Sequence, residues 1–265
     1  MSVNKKAVAD SFSRAAQQYD QVAHVQKQVG RGLLALLQQH KIQARTGLDI
    51  GCGTGWLTLQ LKHHAQHLTA LDLAPGMLAY AQQIDSDRLI DEFVCADVES
   101  LPFPSETFEL IFSSFALQWC DSLETVFNEV WCRLKPGGHF VFSLPVQNTL
   151  RELKQSWKKA EATHSHVNTF ASVNEVQAAL NNEQFLPVSF EERLEYAYYD
   201  SVRQLTSELK TLGAHHVTDN PTRSLTGKKT IANMIAAYEE FRNAEGMLPA
   251  SWHYVLVCAQ KKSSL

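Results

Sequence analysis

The sequence predicts an α/β protein built on a doubly wound, mostly parallel sheet. Three observations carry that expectation. From residue 46, short apolar runs alternate with stretches whose apolar residues recur every three or four positions, the pattern of strands feeding helices that cover both faces of a sheet. The first run enters "LDIGCGTGWLTLQL", residues 48–61, where Gly51, Gly53 and Gly55 fall at a strand-to-helix turn. Acids then stand at the ends of the next two strands, Asp72 and Asp97, where such sheets bind ligands.

Residues 5–40 precede the sheet and read as helices, with three- and four-residue apolar spacing in "VQKQVGRGLLALLQQH". Strands are expected near 47–51, 67–71, 91–95 and 108–113, with a fifth in "HFVFSLP". Helices are expected over 56–64 and from Pro75, a favourable first-turn residue, through about 83. "SLETVFNEVWCRLK" forms an amphipathic helix that Pro136-Gly137-Gly138 should stop. After 146 the pattern loosens. "LRELKQSWKKAEATH" and "SVNEVQAALN", the latter opened by Ser172, read as helices. "FLPVSFEERLEYAYY" reads as a strand, 200–212 and 227–245 as helices, and "WHYVLVCAQK" as a closing strand. Completing the sheet needs only part of this segment, so the surplus is expected to form a helical cap over one edge. Three regions follow: a helical segment at 1–45, a ligand-binding half of the sheet at 46–145, and a cap with the final strands at 146–265.

Charge is uneven. Residues 1–45 carry seven Lys/Arg against two Asp, and residues 46–145 four against thirteen acids. A basic arm thus precedes an acidic block, either as solvated helix faces or as a landing site for an acidic partner. The body has no basic stripe, so nucleic acid is not expected. No apolar run reaches the roughly 18 residues of a membrane span, and the N-terminal stretch lacks the apolar middle of a secretory signal. Five cysteines without a C-x-x-C pair suggest reduced thiols in a cytoplasmic protein. His164, His166, His215 and His216 have no accompanying acid or cysteine cluster, so no metal is expected.

The glycine loop alone suits NAD, a flavin or S-adenosylmethionine. Its spacing is G-x-G-x-G, against the dinucleotide fingerprint G-x-G-x-x-G. Asp49, two residues before the first glycine, suits a cationic ligand better than a pyrophosphate. Asp72 can take both ribose hydroxyls, and Asp97 can accept from an adenine amino group, which an NAD site does not require. Together these favour S-adenosylmethionine.

"LDIGCGTG", "LDLAPGML", "ADVESLPF", "SSFALQW" and "RLKPGGHFVFS" resemble, in order and spacing, the motifs of class I S-adenosylmethionine-dependent methyltransferases. The resemblance implies a Rossmann-like seven-stranded sheet, S-adenosylmethionine as cofactor and S-adenosylhomocysteine as product. Asp49, Gly51, Gly53 and Gly55 would hold the methionine part and Asp72 the ribose. Leu73 and Met77 would pack on the adenine, with Asp97 and Val98 at its polar edge. Ser113 and Ser114 would lie under the sulfonium. Met77 serves equally as core.

The flanks narrow the resemblance. "FSRAAQQYDQVAHVQ", "SSFALQWCDSLETVFNEVWCRLKPGG", "LKTLGAHHV" and "LTGKKTIANM" are similar to the malonyl-acyl-carrier-protein O-methyltransferase family of biotin synthesis. That likeness implies methylation of the free carboxylate of malonyl-acyl carrier protein, or of malonyl-CoA. A carboxylate is already ionised at pH 7, so no catalytic base is needed. Tyr19 falls in an arm that related enzymes use as a lid, as a positioning group or a helix anchor. Gln118 and Trp119 would face the acceptor, Trp119 alternatively being core. Lys210, His215 and Arg223 are cap candidates for its carboxylate or simply surface residues. Lys5, Lys6, Arg14, Lys27 and Arg31 could steer an acidic carrier protein. Two other readings stay open: methylation of another small acid or a quinone precursor, and a non-catalytic S-adenosylmethionine-binding module.

Overall fold

A computed structural model describes residues 3–160, 167–182, 185–213 and 227–262. One seven-stranded sheet organises them. Its strands are β1 (Ala44–Ile50), β2 (Ala65–Asp72), β3 (Glu92–Cys95), β4 (Phe108–Ser114), β5 (Leu134–Pro145), β6 (Phe185–Tyr199) and β7 (Leu248–Lys261). Their spatial order is β3-β2-β1-β4-β5-β7-β6. Five strands run parallel, while β7 pairs antiparallel with both β5 and β6. This is the doubly wound sheet expected, and the order reverses between β1 and β4, the switch point where such sheets bind ligands.

Nine helices flank it among the described residues: α1 (Lys5–Val22), α2 (His24–Gln39), α3 (Trp56–Leu61), α4 (Pro75–Ile84), α5 (Leu123–Arg133), α6 (Arg151–Lys159), α7 (Val173–Asn182), α8 (Val202–Thr211) and α9 (Lys228–Glu239). Period-two alternation along β7 divides the core. Tyr254, Leu256 and Cys258 join α2, α6, α8 and α9 on one face. Val255, Val257 and Ala259 join α5 and α7 on the other. The surplus C-terminal helices therefore cover both faces of the sheet as well as reaching α1 through α8.

The boundary after α5 differs from expectation. The helix ends at Arg133, and Leu134, fully buried and extended, already pairs with Phe108. Pro136-Gly137-Gly138 lie inside β5, at an irregularity after which pairing resumes at Leu110 and His139. Pairing of the buried Leu134 with Phe108 in the interior of the sheet starts β5 where the helix ends, and the proline and glycines fall in the irregularity that follows. Ser172 opens α7 as expected, in a reciprocal cap: its hydroxyl accepts from the Glu175 amide while Glu175 accepts from the Ser172 amide. α9 stops at Glu239 rather than near 245, and β7 begins at Leu248, four residues before the expected start.

Candidate active site

The loop after β1 uses its three glycines differently. All have positive φ, at 69°, 55° and 80° for Gly51, Gly53 and Gly55, a region that costs other residues roughly 1–2 kcal/mol. A side chain at Gly51 would meet the Ala116 Cβ at 2.2 Å. One at Gly55 would press on Ala81 of α4 at 2.9 Å. At Gly53 nothing lies within 4 Å. Two glycines therefore serve packing, and the third presents bare backbone to open space.

That space is a cleft at the carboxyl ends of β1, β2 and β4, where doubly wound sheets bind ligands. Gly51, Gly53, Asp72, Leu73, Met77, Asp97, Val98 and Ser114, all named from sequence, line it. Asp72 accepts the Gly53 amide at 2.9 Å on one oxygen and the Ala74 amide at 2.8 Å on the other. Burial raises its pKa against those hydrogen bonds. Each oxygen keeps a lone pair for a ligand hydroxyl. Met77 is both wall and core, packed with Ala16 and Ala74.

Helix α1 roofs the cleft with Val8, Ala9, Phe12 and Tyr19. Its first turn is tied down by Lys5, whose ammonium donates to Asp97 at 2.5 Å and also pairs with Glu99. Burial works against that charge, but the hydrogen bonds to Asp97 and Glu99 outweigh it and raise the lysine pKa. The Val3 amide adds a bond to Asp121 at 2.5 Å. Sequence reading gave Lys5 a steering role and Asp97 a free carboxylate; the fold pairs them across 92 positions of chain. Lys27 is likewise engaged, donating to the Asp20 carbonyl and lying over the Trp56 ring.

Beside Tyr19 a smaller space is bounded by Asp49, Asp20, Gly51 and Thr54. Asp49 is buried, and burial pushes its carboxyl up to about 7; the Thr58 hydroxyl, donating at 2.6 Å, opposes the shift, and Asp72 adds to it.

A second cleft adjoins the first, with Phe12 and Tyr19 of α1 also in its lining. Phe12, Tyr19, Phe115 and Trp119 line both it and the first cleft. Phe115 has φ 49°; its amide is held by Ser143 and its carbonyl by the Gln118 amide at 2.6 Å. Gln118 and Trp119, the residues that sequence proposed for the acceptor, both line this second cleft.

Three predicted residues do not join these clefts as expected. Ser113 is fully buried and spends its hydroxyl on the Ile50 carbonyl at 2.9 Å; only Ser114 faces a cleft. Lys210 is exposed on the last turn of α8, because Leu205, Leu209 and Leu212 take the inward face. Gly55 acts through packing alone. His215 and Arg223 lie outside the described residues, as do His164, His166 and His216. Sequence reading missed Lys5 as a lid contact, and Phe12, Phe115 and Gln26 as walls; long-range pairing left no local signal for them.

Residues 48–142 match a family model described as a methyltransferase domain. The chain is 38% identical over 264 residues to a malonyl-[acyl-carrier protein] O-methyltransferase of Hahella chejuensis, covering 98% of this chain and 92% of that one. The chain belongs to the malonyl-[acyl-carrier protein] O-methyltransferase family. A Yersinia pestis protein of the same name is 33% identical over 96% of this chain. A biotin biosynthesis bifunctional protein, BioHC, from Saccharophagus degradans is 39% identical; this chain spans 45% of its length. Among solved structures, the YcgJ protein of a Bacillus superposes with TM-score 0.63 at 19% identity, covering 88% of this chain and 99% of that one. The [4+2]-cyclase SpnF superposes at 0.55 and 18% identity. The fold therefore hosts other chemistry, and the reaction of a family member must be read from its site.

Proposed function

We propose that the chain moves the methyl group of S-adenosylmethionine to the free carboxylate of malonyl-acyl carrier protein, giving the methyl ester and S-adenosylhomocysteine. The carrying observation is the pair of clefts meeting at one aromatic wall: the first has the buried Asp72 carboxylate and bare glycine backbone, the second is uncharged among its described lining residues.

The first cleft fits the cofactor. Asp72 would take the ribose hydroxyls, Leu73, Met77 and Val98 would sandwich the adenine, and Asp49 with the Gly51–Gly53 backbone would hold the amino-acid end. Asp97, bound to Lys5, keeps limited accepting capacity for the adenine amino group. S-adenosylmethionine supplies an electrophilic methyl on a sulfonium. An acceptor carboxylate oxygen forms the new O–C bond as the S–C bond breaks, the electron pair staying on sulfur, and no proton moves. Protein groups align the reactants and exclude water. Tyr19, which lines all three spaces, stays a neutral donor because burial raises its pKa. The free thiols of all five cysteines support a reducing, cytoplasmic setting. No metal is invoked.

The test is methyl transfer from labelled S-adenosylmethionine to malonyl-acyl carrier protein, with malonyl-CoA and acetyl-acyl carrier protein alongside. Label on the malonyl thioesters and none on the acetyl one is expected. Cofactor binding with no label on either malonyl thioester would reject the acceptor.

A further inference from the structure

The second cleft has no Lys, Arg, His, Asp or Glu among its described lining residues. Its walls are Leu150, Leu153, Leu209, Leu212 and Trp252 together with the shared aromatic residues. Lys154 stands 4.9 Å from the centre of the Phe170 ring and is not among the described residues that line the space. The polar atoms left without a partner there are neutral: the Gln26 and Gln118 side-chain carbonyls and the Trp252 indole N–H, each buried. Among the described lining residues, none offers a counter-charge.

We propose that this cleft selects its acceptor by charge, admitting a molecule with one carboxylate and a neutral remainder and excluding a diacid. The inference rests on the methyl-transfer reading above and deepens it. One carboxylate reaches the aromatic wall, where the sulfonium of the cofactor would compensate it. A second carboxylate would sit in the apolar part of the cleft, stripped of water and unpaired, which strongly disfavours it. A malonyl thioester passes because its other carbonyl is neutral. The same physics rejects free malonate although it is smaller and fits by volume.

The experiment compares malonate with its mono-methyl ester, which is larger by one methyl and poorer by one charge. Each is measured as a methyl acceptor and as a competitor against a malonyl thioester, at pH 7.5 and pH 5.5. The half-ester should act at least about tenfold more effectively than malonate at pH 7.5. That ratio should shrink at pH 5.5, as malonate gains a proton; exclusion by size would not respond. Leu209→Lys should narrow the ratio at pH 7.5, while Leu209→Gln, equally polar but uncharged, should not. Equal action of the two acids, including no action by either, or a ratio indifferent to pH and to the lysine, overturns the proposal. No label on the thioester itself would reject the methyl-transfer reading instead.

Discussion

Gly51 and Gly53 share a backbone conformation yet should respond to alanine in different ways. Gly51→Ala forces a methyl against Ala116 at 2.2 Å, so a loss of roughly 2–4 kcal/mol in chemical denaturation is expected from strain and overpacking together. Gly53→Ala meets open space and should cost only about 1–2 kcal/mol, while cofactor affinity in calorimetry falls sharply. Asp49 gives a pH signature. Its folded pKa of about 7 exceeds the ordinary carboxylate value of 3.8, so between those values the folded chain holds a proton that the unfolded chain has lost. Stability therefore falls as pH rises through that window. Asp49→Asn should raise the melting temperature of the ligand-free protein at pH 8 and weaken cofactor binding. In the parent, affinity for the cationic cofactor should drop up to about tenfold per pH unit below 7. The motif residues were readable because turn and strand end sit next to one another in sequence. Ser113 was misread because neighbouring strand residues point to opposite faces, and its hydroxyl went to Ile50.

Among the elements, α1 is held by charge at one end and by apolar packing along its length. Lys5 binds Asp97 and Glu99 at about a quarter exposure, where salt screens moderately. Lys5→Met should speed S-adenosylhomocysteine dissociation several-fold in stopped-flow fluorescence. It should also abolish an acceleration seen in the parent between about 0.05 and 0.5 M salt. An unchanged rate would mean that α1 is not latched there. Helix positions were legible from their periodicity, but their ends were not. Pro136 looked like a stop signal, yet Leu134 had already entered the sheet. A one-dimensional pattern cannot weigh a buried strand pairing against a local breaker.

At the scale of the molecule, residues from the two ends of the chain meet in one core: α2 near the start packs against β7 at the end, with Leu33 and Leu256 in the same cluster. Far-UV dichroism and tryptophan fluorescence should therefore melt together, apart from early loss of α1; two separated major transitions would contradict a single cooperative sheet. The alternation of strands and helices made this architecture legible, while the pairing of β7 between β5 and β6 lay beyond sequence pattern, since the apolar run of β7 fits any central strand. The acceptor side was least legible, for its walls come from α1, α2, α6, α8, β7 and the turn after β4.

Phe12 and Tyr19 belong to α1 yet wall both clefts. Lifting that helix to exchange the spent nucleoside would open the acceptor chamber in the same movement. Each catalytic cycle would then be a single round of filling and emptying, with no route for a bound acyl chain to wait while a fresh methyl donor arrives. Double-reciprocal kinetics should accordingly show a sequential pattern, and carrier protein retained across successive turnovers would break it.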